Sequence, residues 1–134
     1  MNPIITKVLL VDDDPAMNYV NDFFIKHYKY CDQVVVEQYP DDALEKMKIW
    51  AQTPSELPNL ILLDLNMPVM SGYQLAQAFA DHISSDLLSN IRVFILSSSD
   101  IAREIDQAMK LPFVKGYLPK PLTIEDLDKI FKGA

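Results

Sequence analysis

The run Val8-Leu9-Leu10-Val11, broken at once by Asp12-Asp13-Asp14-Pro15, decides how the rest of the 134-residue chain is read. Four consecutive apolar residues without alternation suit a strand buried on both faces, and such strands belong to parallel sheets covered by helices. Asp14 can accept hydrogen bonds from the unpaired donors at the start of a helix. Pro15 fits the first helical position, where its missing N–H is not needed. The octet therefore predicts a buried strand, an acidic loop and a helix from Pro15 to about Tyr28. Along that helix Ala16, Val20, Phe23, Phe24 and His27 recur at helical spacing.

The same unit repeats downstream. Val34-Val35-Val36 is β-branched and precedes a helix from near Pro40, with Ala43, Met47, Trp50 and Ala51 on one face. Leu60-Ile61-Leu62-Leu63 reads as the third strand. The helix after it opens at Ser71, where Gln74 completes a capping box, and its inner face is expected to hold Leu75, Ala78 and Phe79. A polar stretch around Ser84-Ser85-Asp86 leads to the fourth strand, Val93-Phe94-Ile95-Leu96, and a helix from Asp100 to Met109. Tyr117-Leu118 reads as a short last strand. Thr123 with Asp126 caps a final helix that carries Ile124, Leu127, Ile130 and Phe131 on one side. Five strands alternating with five helices predict an α/β fold: a doubly wound, five-stranded parallel sheet in a single domain over 1–134, with right-handed crossovers.

Composition bounds the function. With 49% apolar and 23% charged residues the chain has enough apolar surface for one core. Nineteen acidic against 12 basic side chains give a net charge of −7, which argues against direct nucleic-acid binding. Cys31 is the only cysteine, so an internal disulfide is impossible and a reducing compartment fits. No stretch approaches the roughly 18 apolar residues of a membrane span, and Met1-Asn2-Pro3 lacks a signal-peptide layout. A cytoplasmic protein without membrane insertion is expected.

In an open parallel sheet ligands bind beyond the carboxyl ends of the strands. There the sequence places Asp12 and Asp13, then Asp64, then Ser97-Ser98-Ser99, then Lys120-Pro121. If the first and third strands are neighbours, as in the flavodoxin-like order 2-1-3-4-5, three carboxylates converge and repel one another unless protons or a cation neutralise them. Mg²⁺ is the natural neutraliser, since it takes one or two carboxylates and keeps water and phosphate oxygens. A carboxylate beside such an ion, a lysine and a hydroxyl donor has what it needs to attack phosphorus and form an acyl phosphate.

Together these residues resemble the receiver domain of two-component response regulators, over essentially the whole chain. The motifs are Leu9-Leu10-Val11-Asp12-Asp13-Asp14-Pro15, Leu62-Leu63-Asp64-Leu65-Asn66-Met67-Pro68 with Gly72, Leu96-Ser97-Ser98, and Gly116-Tyr117-Leu118-Pro119-Lys120-Pro121. The resemblance implies that Asp64 is the phosphoacceptor and that Asp12, Asp13, Asp64 and the backbone carbonyl of Asn66 hold Mg²⁺. Ser97 and Lys120 would contact the phosphoryl group, with a cis bond between Lys120 and Pro121. Tyr117 matches the family's switch aromatic, which turns inward as the hydroxyl residue moves toward the phosphate. The implied donors are a sensor histidine kinase or a histidine phosphotransfer protein. A downstream protein target would read a surface around Ile101, Glu104, Met109, Lys115 and Tyr117. The expected form is a stand-alone receiver, a monomer or a phosphorylation-dependent dimer, acting as a switch rather than as an enzyme.

This sequence departs from the family pattern in places. Ser71 stands where Asp is common, Ser98 where a small apolar residue is usual, and Leu111-Pro112 replaces a Gly-Ala pair. Asn66 and Ser99 occupy the two positions that tune phosphate lifetime. Three rival readings remain. A flavin-binding module of the same architecture would need a Ser/Thr-rich phosphate loop after the first strand. A haloacid dehalogenase-type phosphatase would need a second acid where Asn66 stands. A pseudo-receiver would bind partners without being phosphorylated.

Overall fold

In a computed structural model the described residues are 5–97 and 102–132, the side chains of Ala102 and Glu104 excepted. The elements follow the order β1 (Val8–Val11), α1 (Pro15–His27), β2 (Val34–Glu37), α2 (Pro40–Ala51), β3 (Leu60–Asp64), α3 (Gly72–His82), α4 (Ser85–Leu88), β4 (Arg92–Ser97), α5 (Ala102–Met109), β5 (Val114–Pro119) and α6 (Ile124–Lys132). All strand pairs are parallel and the sheet order is β2-β1-β3-β4-β5. This is the flavodoxin-like order 2-1-3-4-5, in which the first and third strands are neighbours.

The central strands are apolar throughout because both of their faces are covered. Leu9, Val11, Ile61 and Leu63 point into a core closed by Ala43 and Met47 of α2, Leu75 and Phe79 of α3, and Ala108 of α5. Val8, Leu10, Leu60 and Leu62 point the other way, against Ile25 of α1 and Leu127 and Ile130 of α6. Alternate residues of one strand thus serve two cores, as the twofold period of a strand requires. The helix starts are built as their sequences anticipate. The side chain of Asp14 accepts from the N–H groups of Ala16 and Met17, Ser71 and Gln74 form a capping box, and Thr123 and Asp126 cap each other at α6. Cys31 is buried just before β2.

The fold departs from the sequence reading in five places. On α1 the apolar stripe faces solvent: Ala16, Val20, Phe23 and His27 are exposed, while Asn18, Asn21 and Ile25 are buried. The reason is local, since Asn18 is drawn inward by a bond from its Nδ2 to the carbonyl of Asp12, at 2.7 Å. A sixth helix appears where a polar stretch was expected, because the Ser84 side chain accepts from the N–H of Leu87 and Leu88 supplies a buried anchor. On α3 it is Ala76 rather than Ala78 that is fully buried, and on α6 Ile124 is exposed. Finally β5 is six residues long rather than two. Val93 pairs with Val114 but Phe94 with Gly116, so Lys115 is an extra residue that breaks the apolar pattern at this edge. The predicted start of α5 at Asp100 lies outside the described residues.

Candidate functional site

Strand register assembles the site. Val11 is level with Leu63, so the residues that follow, Asp12 and Asp64, leave the sheet side by side. Asp64 is level with Leu96, and Ser97 with Pro119, so the hydroxyl of β4 and the lysine after β5 reach the same edge. The N–H of Lys120 donates to the carbonyl of Ser97 at 2.9 Å, which fixes the lysine's starting point. The bond between Lys120 and Pro121 is cis, as the resemblance implied.

The Lys120 ammonium then bridges two strands, lying 3.0 Å from Oδ2 of Asp12 and 3.1 Å from Oδ1 of Asp64. Asp12, Asp64 and Ser97 are all buried, whereas Asp13 is half-buried. Asp12 is oriented twice, through a bond from the N–H of Asp14 to its Oδ1 at 2.9 Å and through the Asn18 contact to its carbonyl. Asp64 accepts from the N–H of Asn66 at 3.3 Å. Asn66 itself is exposed and Tyr117 half-buried on the edge strand, next to Phe94's partner Gly116.

Carboxylate oxygens of Asp12, Asp13 and Asp64 lie within 4.8 Å of one another. Among the described residues one ammonium, that of Lys120, faces this trio, so negative charge remains in excess. Burial, and then the Asp12 charge, push the Asp64 carboxyl up to about 7, against the opposing pull of Lys120. For Lys120, burial works against the ammonium, but its contacts with Asp12 and Asp64 outweigh it and raise the pKa above the ordinary lysine value. Three clustered oxygen donors with uncompensated charge fit a hard divalent cation of the Mg²⁺ kind.

Gly72 locks the loop beneath the site. Its N–H donates to the carbonyl of Leu65 at 2.9 Å, and a Cβ there would lie 3.0 Å from the Cα of Leu65 and against the carbonyl oxygen of Asp64. The same loop holds Val69 at φ 73° and almost wholly exposed, a conformation unfavourable for a β-branched residue. Sequence reasoning had no signal for that strain, nor for Asn18 as the residue that steadies Asp12. Of the sequence-predicted residues, Asp12, Asp13, Asp64 and Lys120 come together and Ser97 reaches the same edge, whereas Ser98, Ser99, Ile101 and the side chain of Glu104 lie outside the described residues.

The family model for the response regulator receiver domain matches residues 8–132. Among curated proteins, the chain is 28% identical over 127 residues to the peroxide stress-activated histidine kinase mak1 of Schizosaccharomyces pombe, covering 94% of this chain and 7% of that protein. It is 25% identical over 130 residues to the two-component response regulator ORR1 of Oryza sativa subsp. indica, covering 96% of this chain and 54% of that protein. The chain therefore spans about half or less of the length of these curated relatives. Among solved structures, a two-component response regulator from Cytophaga hutchinsonii superposes with a TM-score of 0.86 at 27% identity, covering 98% of this chain and 97% of that one. The chemotaxis protein CheY4 of Vibrio cholerae shares the fold, with a TM-score of 0.75 at 22% identity and coverage of 96% and 98%.

Proposed function

The chain belongs to the response regulator receiver domain family, and from that premise we propose that it is a phosphorylatable switch whose acceptor is Asp64. The donor in this reading is a phosphohistidine on a sensor histidine kinase or a histidine phosphotransfer protein. The observation that carries it is the bridge from Lys120 to both Asp12 and Asp64 at the carboxyl edge of the sheet.

In the reaction an ionised Asp64 oxygen bonds to phosphorus as the donor's P–N bond breaks. The imidazole leaves in its neutral form, with its other nitrogen protonated. Lys120, already 3.1 Å from Asp64, keeps positive charge where phosphoryl oxygens would arrive. Ser97, buried beside the backbone of Lys120, is the hydroxyl that would donate to the phosphoryl group. Asp12, Asp13 and Asp64, with the carbonyl of Asn66, would hold Mg²⁺, which when bound neutralises charge on the transferring group. A compact, water-poor edge of this kind stabilises charge with little reorganisation.

Phosphorylation would then change a surface that a downstream protein reads. Its described members are Met109, Lys115 and Tyr117, with Tyr117 the aromatic that would turn inward as Ser97 shifts. Incubation with acetyl phosphate and Mg²⁺ followed by intact mass measurement tests the proposal. One added phosphoryl group that disappears in Asp64→Asn and with EDTA is expected. No addition under any condition would overturn it and leave a receiver that signals by binding alone.

A further inference from the structure

A half-open cavity of about 250 Å³ lies where α3, α4 and the connection from α5 to β5 meet. Its walls are apolar: Ala80 of α3, Leu88 of α4, and Leu111 and Phe113 of the connection. Leu88 and Phe113 also belong to the core, at 3% and 5% exposure, so the walls are anchored in close-packed structure. Water gains little in such a place, and an apolar ligand of matching size displaces it favourably. The cavity also carries a charge. Lys115 is the one charged side chain that lines it, and its ammonium donates to the carbonyl of Pro112, another lining residue, at 2.9 Å. That bond holds the cation at the cavity wall and uses one of its three donors. Among the described residues no acid pairs with Lys115. The β5 bulge puts it there, since Val93 is level with Val114 and Phe94 with Gly116, which leaves Lys115 as the extra residue. The Ser85 side chain lines the same cavity and offers a neutral donor.

We propose that this cavity binds a small monocarboxylic acid, its apolar body against Leu88, Leu111 and Phe113 and its carboxylate on the Lys115 ammonium. The volume lies just below the roughly 300–1,000 Å³ usual for ligand clefts, which limits the occupant to about ten heavy atoms. One ammonium and one hydroxyl match the two oxygens and single charge of a carboxylate. A phosphate, with three oxygens and nearly two charges, would be left half neutralised. A protein segment fits less well, because a cavity this small takes a single side chain, and the acidic side chains of Asp and Glu carry almost no apolar body. The site shares no residue with the acidic edge, involves neither Asp64 nor phosphorylation, and stands or falls separately from the proposed function.

Titration of the unphosphorylated protein with octanoate at pH 7, followed by amide NMR shifts, is the test, with octan-1-ol as the neutral counterpart. Octanoate is expected to bind saturably, with a dissociation constant of about 0.1–1 mM, and to move the amides of Ala80, Leu88, Leu111, Phe113 and Lys115 most. Octan-1-ol should bind about three- to fivefold more weakly. Lys115→Gln should weaken octanoate by the same factor and leave octan-1-ol unchanged; Lys115 is exposed, so the fold should stay intact by circular dichroism. Ala80→Leu, which fills the cavity, should abolish binding of both. Shifts that do not saturate, or that centre elsewhere on the chain, overturn the proposal. So does octan-1-ol binding as tightly as octanoate, or octanoate affinity unchanged in Lys115→Gln, since the ammonium then selects nothing.

Discussion

At Asp64 burial and a neighbouring carboxylate act in the same direction, and the consequence is a stability that depends on pH. The folded carboxyl titrates near 7, whereas an unfolded aspartate titrates near 3.9. Between those values the folded chain keeps a proton that the unfolded chain has lost, so stability falls as pH rises through the window. Asp64→Asn removes the penalty. In metal-free protein it should raise the melting temperature at pH 8 by several degrees, at about 4 °C per kcal/mol relieved, and change it little at pH 4. Differential scanning fluorimetry at the two pH values would check this. A second residue-scale expectation concerns Gly72, where an added Cβ meets backbone on β3 that cannot yield. Gly72→Ala should cost about 1–3 kcal/mol, read as a lowered urea midpoint, and should displace Asp64 enough to slow phosphorylation. The acids, the hydroxyl and the lysine were legible in the sequence because each follows an apolar run, and charge in that place needs a reason. Val69 was not legible, since nothing in the letters records a positive φ.

On the scale of single elements, α1 shows how a periodic pattern can mislead. Periodicity identifies a helix, but it does not say which face meets the core when both faces carry apolar residues. Here Asn18 and Asn21 point inward, and Asn18 is held there by the backbone of Asp12. Two substitutions separate the faces. Ile25→Ala should cost about 2–5 kcal/mol in chemical denaturation, as for a fully buried aliphatic, whereas Phe23→Ala in dilute protein should stay within about 0.5 kcal/mol. Equal losses would mean that the orientation of α1 is wrong. α4 escaped the reading and β5 was read too short, for different reasons. The first is a single turn that depends on a serine cap, and the second carries Lys115 and Gly116 in the middle of an edge strand. The β-branched run of β2 announces an edge strand as plainly as the buried ones, whereas an edge strand interrupted by Lys115 and Gly116 does not.

For the molecule as a whole, five parallel strands deliver side chains from four separate segments to one edge, and only the assembled sheet creates the charge cluster. In the proposed function, cation binding is therefore coupled to folding. Mg²⁺ should raise the melting temperature at pH 8 with the logarithm of its concentration once that exceeds the dissociation constant, and raise it much less at pH 5.5, where a proton competes for Asp64. Thermal melts across a Mg²⁺ titration at both pH values would show whether the shift has this dependence. The fold class was readable because strand–helix alternation admits few topologies, whereas the level placement of Asp12 beside Asp64 needed the actual register of β1 on β3. One further feature lies at the far end of the sheet. Trp50, the chain's only tryptophan, sits beneath the ammonium of Lys7, 3.8 Å from its ring centre, and Lys7 precedes β1 just as Asp12 follows it. Its indole emission should thus report unfolding of the sheet's opposite pole while staying almost silent when the acidic edge fills, giving an internal optical reference against which events at Asp64 can be measured by other means.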